Sequence, residues 1–179
     1  MNKYTVVKLL AFTLPLLLAS VDTQAQRARA AGAKPNAQGG VTAGAAAAGT
    51  TPAGTRHARG AVVASDGQGN AAGASGAAVE TASGAKAGRA GAFQRGSDGA
   101  FQRGGGVAAS GANGSVNSQG SVSGDGQGNV GGSRATNASS SDGSTYSGET
   151  DYNTSDGVTH SGSCTNASGA VVACPKPKG

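Results

Sequence analysis

After Ala25 the chain contains no leucine, isoleucine, methionine or tryptophan. The 154 residues that follow therefore lack the side chains from which hydrophobic cores are ordinarily packed. What remains is eleven Val, two Phe and two Tyr, 15 positions in all, set among all 33 of the glycines. Glycine loses the most backbone freedom on folding, and so few large apolar groups cannot offset the conformational entropy of so long a segment. The composition predicts a mostly disordered, low-complexity, glycine-rich chain with weak all-β character: short antiparallel β-hairpins or a meander, or a β-solenoid, over residues 60–174.

Catalytic and metal-binding constellations are missing as well. No serine stands at the centre of G-x-S-x-G, so there is no nucleophile elbow. His57 and His160 are isolated from each other and from further ligands. Gly126 to Gly131 matches G-x-G-x-x-G but opens no helical pattern, and a chain this rich in glycine supplies such matches by chance. The paired segments Asp66 to Asn70 and Asp125 to Asn129 lack both the EF-hand glutamate and a tandem G-G-x-G-x-D nonapeptide. These gaps predict a protein that is not an enzyme and holds no cofactor or metal.

What is present begins with an export signal. Lys3 and Lys8 precede an apolar run from Leu9 to Ala19, followed by Thr23-Gln24-Ala25. This pattern predicts a signal peptide over residues 1–25, cleaved after Ala25, and a periplasmic or extracellular product. Pro15 interrupts a run already short of the roughly 18 residues of a spanning helix, so no transmembrane segment is expected in the mature chain.

Composition then shifts along the chain. Residues 26–60 read as a flexible basic Ala/Gly-rich linker, 61–132 as a Gly/Ala-rich β-repeat region, and 133–179 as a Ser/Thr/Asn-rich β-hairpin module. Asp-Gly recurs at Asp66, Asp98, Asp125, Asp142 and Asp156, and such pairs are hairpin signals because glycine supplies a positive φ. The segment Gly91 to Gly96 repeats eight residues later as Gly99 to Gly104. A three-residue loop Ser97-Asp98-Gly99 would set Phe93 opposite Arg103 and Arg95 opposite Phe101, letting each guanidinium cover a ring. The Gln-Gly-Asn triplets at Gln68 and Gln127 resemble the Gln/Gly/Asn spacing of curli-type amyloid repeats. They occur only twice, 59 residues apart, which covers about a dozen residues and assigns no family.

Cys164 and Cys174 are the only cysteines, and an even count in an exported chain predicts a disulfide. A tight Ala167-Ser168-Gly169 loop would set Cys164 opposite Val172 and diagonal to Cys174, so the bridge is expected to need a wider turn or a bulge. Upstream, a Ser155-Asp156-Gly157 loop would place Tyr152 opposite His160. Tyr146, Tyr152 and His160 are the expected binding surface of that module.

Charge is divided along the chain. Residues 27–103 carry nine Lys/Arg against three acids, whereas residues 104–174 carry one against five. A basic arm suits an anionic cell-surface polymer, while opposite halves suit self-association. Dispersed arginines without interleaved aromatics in the linker give no basis for specific nucleic-acid recognition. The sequence thus points to an exported, non-enzymatic structural or surface-associated protein. Its alternatives are a binding module on a flexible stalk and a self-assembling fibre component.

Overall fold

The computed structural model describes residues 27–174, and the predicted signal peptide and the last five residues lie outside them. Eleven strands succeed one another in chain order: β1 Arg27–Pro35, β2 Val41–Thr50, β3 Arg56–Ser65, β4 Ala71–Glu80, β5 Lys86–Arg95, β6 Ala100–Gly111, β7 Gly114–Asp125, β8 Val130–Ser140, β9 Thr145–Asn153, β10 Gly157–Thr165 and β11 Val171–Val172. They form one antiparallel sheet in the order β1 to β11. Among the described residues each strand meets only its chain neighbours. Among the described residues the sheet is therefore a single open layer, neither closed into a barrel nor covered by a second layer.

Such a layer has no core. Cys164 and Ser118 are the only buried residues among those described apart from Gly40, which has no side chain. Val62 and Val63, adjacent in β3 and therefore on opposite faces, are 49% and 42% exposed. Order comes instead from ten consecutive backbone ladders, which satisfy the peptide groups of the interior strands.

Tight loops join the ladders. In the loops starting at Asn36, Thr51, Thr81, Gly96, Ser140 and Asn166, the first residue's N–H donates to the carbonyl four residues on, and the N–H three residues on donates back to the first carbonyl. The fourth residue is always glycine. Its left-handed φ, +86° at Gly99 and +81° at Gly169, is what a three-residue hairpin loop requires. Side chains reinforce the same loops: the Asn36 Oδ1 accepts from Gln38 N and Gly40 N, and the Asn166 Oδ1 from Ser168 N and Ala170 N.

The expectation of a mostly disordered chain is overturned, because an apolar inventory does not register ladder pairing and loop geometry. The architecture is the meander among the forms expected, not a solenoid. Residues 27–35 and 41–50, read from sequence as linker, form β1 and β2. Ala and Gly have little intrinsic strand preference, but the paired loops at Asn36 and Thr51 hold them in register against β3.

Candidate binding face

Pairing fixes which residues share a face. Since partners directly opposite point the same way and neighbours along a strand alternate, each register row can be followed across the sheet. One row runs Arg29, Ala47, Arg59, Ala77, Arg89, Val107, Ser118, Thr136, Gly148, Gly162. Another on the same face runs Ala33, Ala43, Val63, Gly73, Phe93, Arg103, Val122, Gly132, Tyr152, Val158. The remaining odd rows add Arg27, His57, Val79, Val116 and Tyr146, then Arg134, Thr150 and His160, then Val41, Arg95, Phe101 and Val130.

The outcome is a segregation by chemistry. This face holds Arg27, Arg29, Arg59, Arg89, Arg95, Arg103 and Arg134, both histidines, both phenylalanines and both described tyrosines, and no strand position on it is acidic. The opposite face carries mainly Ala, Gly, Ser, Thr and Asn. Its charges are mixed: Lys34, Arg56 and Lys86 with Glu80, Asp125, Glu149 and Asp151. Lys86 and Glu80 pair there at 3.5 Å, both exposed.

Arg29, Arg59 and Arg89 recur every 30 residues, one full hairpin repeat, and occupy the same row on alternate strands. With strands about 4.8 Å apart, the Cα atoms of consecutive members lie roughly 10 Å apart. They line a shallow open trough floored by Ala31, Ala45, Ala61, Gly60 and Gly76. Sequence reading missed this ladder, although the 30-residue recurrence of arginine was a visible signal.

The aromatic rings lie down on glycines. A Cβ built at Gly73 would meet the Phe93 ring at 2.6 Å, and one at Gly124 would run into the Phe101 ring, so both rings cover the backbone of directly paired glycines. The expected register of Phe93 opposite Arg103 and Arg95 opposite Phe101 is present, with Gly99 left-handed in a three-residue loop. The rings, however, turn to the glycine side. Tyr146 likewise packs over Gly148 and Gly162.

Tyr146 and His160 come together on this face: the Tyr146 Oη lies 3.5 Å from His160 Nε2, and Thr150 Oγ1 hydrogen-bonds His160 Nδ1 at 2.8 Å. Tyr152 pairs with Val158, and His160 with Thr150, which corrects the expected Tyr152–His160 pairing by two positions. The cause is Asn153, whose Oδ1 accepts from Ser155 N at 2.9 Å and Asp156 N at 2.7 Å and so starts the turn one residue early. His160 has a hydroxyl partner but no carboxylate on its face to orient the ring for nucleophile activation. No group of three or more His, Cys, Asp or Glu residues that could hold a metal ion occurs among the described residues.

Nearby, Arg134 Nε donates to the buried Ser118 Oγ at 2.8 Å, and Ser118 in turn shares a 2.7 Å hydroxyl contact with Thr136. Arg134 is thereby held against the sheet.

The acidic groups collect away from this face, in loops and on the opposite side. Asp66 and Asp125 cap identical Asp-Gly-Gln-Gly-Asn loops. The side chain of Asn70 or Asn129, then the N–H of Gln68 or Gln127, holds each carboxyl below the usual carboxylate value. Asp142 is lowered by Ser144, through its N–H first and then its hydroxyl.

The disulfide joins Cys164 to Cys174 with Cα atoms 5.2 Å apart. It forms with Cys164 opposite Val172 and the tight Ala167-Ser168-Gly169 loop intact, so no wider turn is needed. A flat diagonal pair would stand roughly 7 to 8 Å apart. The chain therefore bends after Val172 instead of continuing along β10. A disulfide is compatible with an oxidising, extracytoplasmic compartment.

No helix is long and apolar enough to cross a membrane among the described residues. Comparison with protein-family models, with curated proteins and with solved structures finds no match.

Proposed function

We propose that this is an exported, non-enzymatic surface- or matrix-associated protein that lies with its arginine face on an anionic polysaccharide of the cell surface. The carrying observation is the placement of seven arginines with the aromatic residues on a face whose strand positions include no acid. An uncompensated array of cations gives a favourable field for a linear polyanion. Rings lying flat over glycine offer apolar surface on which sugar rings can rest. The roughly 10 Å recurrence of Arg29, Arg59 and Arg89 suits a polymer with evenly spaced charges. Tyr146, Tyr152 and His160 belong to the same face and extend it beyond the basic half.

The test is a pair of charge-matched triple variants, assayed for binding to polygalacturonate with neutral dextran as control. Arg29→Gln/Arg59→Gln/Arg89→Gln should lose most of the binding. Lys34→Gln/Arg56→Gln/Lys86→Gln removes the same charge from the other face and should retain it. Equal losses in the two would reduce the effect to net charge and refute a face-specific site.

A further inference from the structure

The sheet ends in two unlike edges. β1 is exposed along all nine residues and carries Arg27, Arg29 and Lys34. At the other end β11 pairs only with Cys164 and Thr165, leaving Gly157 to Ser163 of β10 without a strand partner on the outer side among the described residues. Exposed edges are ordinarily blunted by Lys, Pro or bulges. The open stretch of β10, Gly-Val-Thr-His-Ser-Gly-Ser, has none of these.

We propose that this stretch of β10 receives the β1 strand of a second copy of the chain, head to tail. Direction is compatible: β1 and β10 run opposite ways in the meander, so a translated copy adds antiparallel and continues the alternation. Translation also keeps the arginine face on one side of the growing sheet. Charge is compatible with the same pairing, because Lys34 lies on the face that carries Glu149 and Asp151 of β9. β11, held by the Cys164–Cys174 bridge, occupies the last two positions of β10 and so acts as a stop that fixes register. A contact between different edges does not close on itself, and the product is an open linear assembly.

The backbone pattern supplies the test. Asn36 N–H bonds to Gly40 across the first loop, so the even-numbered residues of β1 bond to β2 and the odd ones point outward. Ala31→Pro removes one outward donor and spares the internal ladder. For protein recovered after export, sedimentation velocity should show a mass that grows with concentration without settling at a fixed stoichiometry. Ala31→Pro should remain monomeric with the β-sheet circular dichroism of the wild type. Mixed at a substoichiometric ratio, it should also shorten wild-type assemblies, because its β10 edge can still receive a β1 strand while its own β1 cannot extend the chain; a misfolded variant could not do this. A wild type that stays monomeric, a closed dimer, or an Ala31→Pro protein that assembles like the wild type would each overturn the proposal. Polysaccharide binding by the arginine face is read separately by the charge-matched triples, so either reading can fail alone.

Discussion

At the residue scale, the loops are held by Asn, Asp and Thr side chains that satisfy peptide donors and by glycines that take the left-handed conformation. Much of this was legible: the Asp-Gly pairs marked turns, and Gly99 is left-handed where the duplicated segment required it. The start of the β9–β10 turn was not, because Asn153 competes with Asp156 to begin it and pairing strength in the sequence does not rank the two. Titration tests the loop chemistry. Asp66 and Asp125 have lowered carboxyl pKa values through Asn70 and Asn129, so their stabilisation is complete above the unfolded carboxylate value and lost as pH falls through the depressed folded one. Thermal unfolding should place the wild type above Asp66→Asn/Asp125→Asn near about pH 6, with the gap closing toward about pH 2. A gap independent of pH would contradict the role assigned to the charged form.

At the element scale, each strand owes its place to the register of its two neighbours more than to its own composition. The pairing of Phe93 with Arg103 could be read from the exact repeat of Ala-Phe-Gln-Arg around a turn. β1 and β2 could not, since their runs of Ala and Gly show no alternation and the β-branched residues of β2 stand only at its ends, and the 30-residue return of Arg29, Arg59 and Arg89 is the signal that points to β1. β11 is the shortest strand and its residues are exposed, so the disulfide is its principal constraint. Replacing both cysteines, Cys164→Ser/Cys174→Ser, should cost somewhat less than about 3 kcal/mol, the entropy expected for a slightly longer loop. Amide exchange should accelerate from β10 onward while β3 to β7 keep their protection. Loss of protection throughout would mean that the bridge supports the whole sheet and not its last hairpin.

At the scale of the whole molecule, the chain spends most of its few large apolar side chains on one face instead of in an interior. Valine, phenylalanine and tyrosine stand half-exposed beside arginine, and the other face holds mainly small residues with a few charges of both signs. The sequence disclosed the division of charge between its halves, which is a matter of position along the chain. Segregation between faces stayed hidden because it appears only when the register of all ten junctions is known, and a shift of one residue in any of them would invert it from there on. The central claim is that this sheet stands as a single layer open to solvent on both sides. It is tested most directly by the NMR relaxation that an inert, soluble gadolinium chelate induces in the valine methyls. Val62 and Val63, on opposite faces, should be relaxed to a similar extent, together with Val107 and Val158. Strong relaxation of Val62 with protection of Val63, Val107 and Val158 would show the arginine face covered, and would contradict the account.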